Sequence, residues 1–187
     1  HLVQPKTPPD AEALARASGA DDLLAKAAIH SSLSDAIADC RLVIGSSARL
    51  RAVEWPLVEP PECARRLLGD ARDGPVALVL GRERSGLTNE ELAFCHFLVH
   101  IPTNPNFSSL NLGAAAQIFA YEIHQRLREG QGETLPRENR DLATADALDG
   151  FHVHLSQTLV EIGFADPKQS GKLSRRLRRL FHRARPD

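Results

Sequence analysis

The chain has 187 residues and a mass of 20.5 kDa, with 42% hydrophobic, 25% charged and 5% aromatic residues. That suffices for one well-packed core and a small appendage, and no apolar run approaches the roughly 20 residues of a membrane helix. Net charge is −1, yet eight basic residues and no acidic one lie between Lys168 and Arg185, which leaves a body with 15 basic and 24 acidic side chains.

Short strands are predicted at residues 1–4, 27–30, 42–45, 76–80 and 97–101, with amphipathic helical segments near 10–18, 33–39, 62–68 and 89–95 between them. Alternation of this kind implies an α/β fold with a mostly parallel sheet flanked by helices. In such sheets ligands bind beyond the carboxyl ends of the strands. Three loops leave strands there: "GSSAR" after Ile44, "GRERSG" after Leu80 and "PTNPNFSSLN" after Ile101. A long helix is then predicted over 109–128, with Leu112, Ala115, Phe119 and Ile123 as its apolar stripe. The glycine- and proline-containing stretch "EGQGETLPREN" follows and reads as a linker. Beyond it, Leu148, Phe151, Leu155, Leu159 and Ile162 mark one amphipathic helix, and Leu173, Leu177, Leu180 and Phe181 mark another. The expected organisation is a domain over 1–129, a linker over 130–144 and a helical, basic extension over 145–187.

The three cysteines, Cys40, Cys63 and Cys95, form no CxxC pair and read as reduced thiols packed as small hydrophobes. With nothing resembling a signal peptide, a cytoplasmic protein is expected. Histidines are scattered, and His152 and His154 lack the partners of a metal site, so no metal is expected. The scarcity of aromatics argues against base stacking on a platform of rings. The uneven charge points to a polyanionic partner.

Thr88 and Glu91 have the spacing of a capping box, which accounts for "TNEE" structurally. Capping leaves Gly81, Arg82, Glu83, Arg84 and Gly86 unexplained. Glycines there permit a tight bend and close backbone approach to a ligand. A P-loop is excluded because Leu87 and Thr88 follow Gly86 where Lys and Ser/Thr are required, and the glycine spacing fails a dinucleotide fingerprint. Glu83 and Arg84 could form a loop salt bridge that shapes the bend. In "IPTNPNFSSLNLGAAAQ", Pro102 and Pro105 stiffen an extended segment. Ser108 or Ser109 can cap the next helix, with Asn111 expected in its first turn, where propensity does not favour it.

The segments "LVIGSSAR", "LVLGRERSGLTNEEL" and "HIPTNPNFSSLNLGAAAQIFAYE" resemble the signature motifs of the SPOUT superfamily of RNA methyltransferases. "EWPLVEPPEC" and "KLSRRLRRLFHRARP" extend the likeness over essentially the whole chain, most closely to the TrmJ branch. That branch methylates a ribose 2′-hydroxyl, of cytidine or uridine, at nucleotide 32 of the tRNA anticodon loop. The resemblance implies a SPOUT fold with a C-terminal trefoil knot, which no spacing argument shows and which general topology disfavours. It implies S-adenosylmethionine as cofactor, held by Ser46, Ser47, Ala48, Gly81, Ile101, Ser108, Ser109 and Leu110. Glu83, Arg84, Ser109 and Asn111 are the implied catalytic residues. tRNA is the implied partner, with Arg49 and the basic residues Lys172, Arg175, Arg176, Arg178, Arg179 and Arg183 on its side. A homodimer is implied as well, because active sites in the family borrow from the partner subunit.

Members of the superfamily usually begin with a strand and a helix carrying an Asn and an Arg, the Arg being the proposed base. Here "HLVQPK" resembles the second strand. One strand–helix unit is therefore expected upstream of His1, and the 187 residues alone are expected to be inactive or unstable. The competing readings are the same chemistry on another tRNA position or on ribosomal RNA, a non-catalytic RNA-binding protein of the same fold, and a generic nucleotide-binding domain.

Overall fold

The computed structural model describes residues 1–48, 55–104, 106, 109–129, 141–166 and 170–187. They fall into two compact units, His1–Ala38 and Asp39–Asp187. In the first, β1 (Leu2–Val3) pairs in parallel with β2 (Ile29–His30), and between them lie α1 (Ala11–Arg16) and α2 (Asp21–Ala25). Asp10 caps α1 by accepting from the Ala13 amide at 2.8 Å. Ser32 caps α3 (Leu33–Ile37) in the same way through Asp35. Each is a short polar side chain satisfying an orphan N–H of the first turn.

The second unit is built on β3 (Leu42–Ser46), β4 (Leu57–Val58), β5 (Val76–Val79) and β6 (Phe97–Val99). Their order is β4-β6-β3-β5, every neighbouring pair parallel. The central strand β3 is an unbroken apolar run because both its faces are covered: Leu42, Val43 and Ile44 are wholly buried. Successive side chains point to opposite faces. Leu42 and Ile44 join Val58, Cys63, Leu67, Phe97, Val99, Ala115 and Phe119 in one core cluster. The helices closing that cluster are α4 (Pro60–Asp70), with Pro60 in its first turn, and α6 (Leu112–Glu129). On the opposite face a Cβ on Gly45 would lie 2.7 Å from Cys95 Sγ and 3.0 Å from Leu87 Cδ1, so glycine is what admits the α5 (Asn89–Leu92) segment this close to the sheet.

Two elements escape the sequence pattern. β4 is only two residues long and lies between Pro56 and Pro60, where proline discourages a strand assignment. It pairs nonetheless, because proline still has a carbonyl: Leu98 N–H donates to Pro56 O, and His100 N–H to Val58 O, both at 3.0 Å. α2 has five residues and no side-chain cap, too short to show a period.

The final helices, α7 (Ala145–Glu161) and α8 (Ser170–Ala184), pack within this second unit. Most of the predicted linker, residues 130–140, lies outside the described residues. Its end is tied down, with Arg41 paired to Asp141 at 2.7 Å, the Ala143 amide donating to Pro186 O and the Ala145 amide to Cys40 O. Arg185, paired with Asp70, completes the attachment. All three cysteines are free and buried. Burial pushes the Cys63 and Cys95 thiols up to about 12 and Cys40 to about 11, so none carries a reactive thiolate. Among the described residues, no helix is long and apolar enough to cross a membrane, and no group of three or more His, Cys, Asp or Glu is placed to hold a metal ion.

Candidate active site and basic surface

The carboxyl ends of β3, β5 and β6 meet at a cavity of ≈ 250 Å³. Ser46, Ser47 and Ala48 line it from β3, the 81–87 loop from β5, and Ile101, Thr103, Ser109 and Leu110 from the segment after β6. Leu112 and Ala115 close the floor from α6. The convergence of three loops expected from the sequence is thus present, and Glu83, Arg84 and Gly81 lie within it. Ser108 and Arg49 lie outside the described residues. Arg82, Ser85, Leu87 and Thr103 also line the cavity, beyond the residues that the sequence motifs indicate. The first three sit within or beside the "GRERSG" loop, and that adjacency is the signal that could have found them.

The 81–87 loop is a tight hairpin. Arg82 and Gly86 exchange both backbone hydrogen bonds, Arg82 N–H to Gly86 O at 3.2 Å and Gly86 N–H to Arg82 O at 2.8 Å. Gly86 has φ +66°, a conformation that side chains other than glycine's rarely adopt. A Cβ on Gly81 would fall 2.2 Å from the Gly86 carbonyl carbon and 2.4 Å from Leu87 N. The close approach that requires glycine at 81 is to the loop's own backbone. Below the hairpin the capping box is complete: Thr88 Oγ1 accepts from Glu91 N–H at 3.2 Å, and Glu91 Oε2 accepts from Thr88 N–H at 2.7 Å. Arg82 donates to the same carboxylate oxygen at 3.0 Å. Glu91 is partly buried, which opposes its ionisation, but Arg82 and the Thr88 amide outweigh that cost and hold its pKa below the ordinary value.

Asn111 is not in the first turn of α6. It is the N-cap, its Oδ1 accepting from Gly113 N–H at 2.9 Å and Ala114 N–H at 3.2 Å, while its carbonyl accepts from Ala115 N–H. Asparagine is among the best N-caps, so the unfavourable propensity disappears once the helix boundary moves to Leu112. The Asn111 amide nitrogen then donates to Glu83 Oε1 at 3.0 Å, and the Leu112 amide reaches the same oxygen at 3.3 Å. Glu83 thus lies on the N-terminus of α6, where a carboxylate is electrostatically favoured. Among the described residues Glu83 makes no ion pair with Arg84, so the loop salt bridge is not formed. Asn111 itself is exposed and does not line the cavity.

On α8 the arginines divide by direction. Lys172, Arg175, Arg176 and Arg183 are exposed. Arg178 instead pairs with Asp149 of α7 at 2.5 Å and lies 5.7 Å from the Phe94 ring centroid. Arg179 lies 5.8 Å over Trp55, whose Nε1 donates to Cys95 O at 3.1 Å. Both are only partly exposed and spend their charge inside the molecule. Nearby, His182 meets His96 edge-on at 4.9 Å between centroids and stacks on His152 at 5.6 Å, so the histidines that look scattered in the sequence form a buried cluster. The Val43 amide donates to His96 Nδ1 at 3.1 Å, which fixes the ring proton on Nε2.

Residues 1–121 match the model of the SpoU rRNA Methylase family, and residues 146–187 that of the tRNA methyltransferase TrmJ C-terminal domain. The chain belongs to the SpoU methylase family. A TrmJ from Pectobacterium atrosepticum, described as a tRNA (cytidine/uridine-2′-O-)-methyltransferase, is 48% identical over 191 residues, covering all of this chain and 78% of that protein. A Pseudomonas aeruginosa TrmJ, described as cytidine/uridine/adenosine-specific, is 46% identical over 98% of this chain and 75% of its own length. Among solved structures, TrmJ from Z. mobilis ZM4 superposes with a TM-score of 0.81 at 30% identity, over 98% of this chain and 77% of that one. A probable methylase family protein from Haemophilus influenzae gives 0.66 at 38% identity, over 100% and 76% of the two chains. The mostly parallel sheet flanked by helices is therefore the SpoU-family fold, with the cavity at its strand ends.

Proposed function

We propose that the chain carries out S-adenosylmethionine-dependent 2′-O-methylation of a tRNA ribose, at nucleotide 32 of the anticodon loop, on cytidine, uridine or both. The observation that carries this reading is the assembly of three strand-end loops around one cavity in a SpoU methylase whose last 42 residues match a TrmJ-type C-terminal domain. That domain is why we favour tRNA over the ribosomal RNA of the family's description.

The cavity's donor set fits the cofactor. Backbone groups and hydroxyls of Ser46, Ser47, Thr103 and Ser109 can meet a polar ring edge and ribose, while Leu87, Ile101, Leu110 and Leu112 offer apolar cover. When bound, S-adenosylmethionine supplies an electrophilic methyl group for in-line attack by a ribose oxygen. The chain's own residues do the positioning. Glu83, anchored by Asn111 and the α6 amide, is held at the cavity with its second oxygen available to orient the ribose. Arg84, exposed beside it, is placed for a phosphate. Ser109 lines the same wall.

tRNA phosphates would be met by Lys172, Arg175, Arg176 and Arg183, the exposed members of α8. A homodimer belongs to the same reading, supported by the exposed, small-residue and aromatic face of α6 that includes Ala114, Gln117 and Tyr121. So does the trefoil knot. The test is nucleoside mass spectrometry of tRNA incubated with the full-length protein and S-adenosylmethionine, comparing wild type with Asn111→Ala. Appearance of 2′-O-methylcytidine or 2′-O-methyluridine with the wild type alone is expected. Normal tRNA binding without any 2′-O-methylated nucleoside would overturn the proposal.

A further inference from the structure

The cavity wall after β3 is held in place by a side chain from the residue that follows β6. Ser47 is gripped at both ends of its own residue: its amide donates to Val99 O at 3.1 Å, and its carbonyl lies 3.1 Å from His100 Nδ1. A carbonyl only accepts, so Nδ1 carries the hydrogen and donates. The backbone of His100 is already engaged, its amide donating to Val58 O at 3.0 Å. The sheet therefore needs nothing from the imidazole, whose contact with Ser47 joins the exit of β6 to the exit of β3. Both exits line the cavity, through Ser46, Ser47 and Ala48 on one side and Ile101 on the other.

We propose that His100 is a positioning residue for the cofactor: its ring N–H fixes the Ser47 carbonyl and so preorganises the Ser46–Ala48 wall before the ligand arrives. The inference rests on the reading of the cavity as an S-adenosylmethionine site. Its physical basis is that a wall already ordered in the free protein loses less freedom on binding, which appears as affinity. Without the imidazole, the Ser47 carbonyl loses this donor, and the wall, still tied through the Ser47 amide to Val99 O, is held less firmly before the ligand arrives.

The experiment is calorimetric binding of S-adenosylmethionine and S-adenosylhomocysteine to the full-length protein, as wild type, His100→Ala and His100→Asn, with the melting temperature of each ligand-free protein recorded alongside. Losing one net hydrogen bond predicts about 3- to 10-fold weaker binding for His100→Ala. Asn carries an amide donor near the position of Nδ1, and His100→Asn is expected to recover most of that loss. In methyl transfer, KM for the cofactor should rise in His100→Ala while kcat at saturation stays within about twofold. Should His100→Ala not fold, His100→Leu is compared with His100→Asn in the same way. Wild-type affinity in a folded variant without a donor refutes the inference, as does an Asn variant that binds no better than the donorless one. If the wild type binds neither ligand, it is the methyltransferase reading that fails.

Discussion

Acidification from pH 7 to pH 5 is expected to remove a large share of the stability of the 39–187 unit, through His96, His152 and His182. These side chains are 2%, 3% and 4% exposed. Burial is the main cause of their low pKa values, about 4, about 4 and about 3 respectively. Neighbouring groups add to it: Arg185 beside His96, Arg178 beside His152, and around His182 the two other rings once they take up protons, together with Arg178, whereas Asp149 opposes the effect at His152. An unfolded histidine takes up its proton near pH 6.5. Because the folded values are depressed, the unfolded chain binds more protons below that pH. Stability is thus full at neutral pH, falls as pH drops through about 6.5, and levels only near the folded values. Linkage gives about 2 kcal/mol per ring between pH 7 and 5, and about 5–6 kcal/mol for all three. Domains of ordinary stability have only about 5–15 kcal/mol in total. Glu62 and Glu91, whose pKa values are held low in the folded state, act in the same direction but only as pH nears about 4.5, below this window. The assay is urea unfolding at pH 7, 6 and 5, followed by the fluorescence of Trp55, the single tryptophan, which sits under Arg179 at the junction of α8 with the sheet. His182→Phe should reduce the fall by about a third. A fall below about 1 kcal/mol, or an unchanged fall in His182→Phe, would refute the reasoning.

Three further outcomes are expected. Asn111→Asp keeps an N-cap oxygen but replaces the donor to Glu83 with a second carboxylate, so melting temperature should hold while methyl transfer falls at least tenfold; Asn111→Ala should lose both, with about 1 kcal/mol of stability. Gly81→Ala forces a Cβ into the backbone of Gly86 and Leu87, and calorimetry should show S-adenosylmethionine affinity lost more than tenfold because the hairpin opens. Arg175→Gln with Arg176→Gln should weaken tRNA binding and lower the salt slope by about one to two, read by filter binding from 50 to 200 mM salt. Arg178→Gln should leave that slope nearly unchanged and cost about 1–2 kcal/mol of stability instead, since it breaks the pair with Asp149.

The sequence made the sheet legible wherever apolar runs were long enough to have a pattern, as in β3, and lost it in the two-residue β4 between prolines. The cavity was legible because its three loops leave parallel strands on one side, a property of topology that short motifs announce. The partners of individual side chains were not. Asn111 reads as a poor first-turn residue until the boundary of α6 places it at the cap, and Glu83 offers Arg84 as an equally good partner until α6 is placed beside the hairpin. Arg178 and Arg179 are indistinguishable from Arg175 and Arg176 in a charge count. Only the packing of α8 against α7 and Trp55 separates them. The histidine cluster was invisible for the same reason, its members being 56 and 30 residues apart along the chain.

The hairpin from Arg82 to Gly86 bears on how molecules enter and leave. It is closed by its own backbone, bolted below by the capping box of α5 and beside it by the link from Glu83 to α6. A loop fastened on three sides does not serve as a gate. Its shape is set before any ligand arrives, and a molecule that enters the cavity meets this wall as it stands. Substitutions that loosen the hairpin should therefore weaken ligand binding rather than open a path.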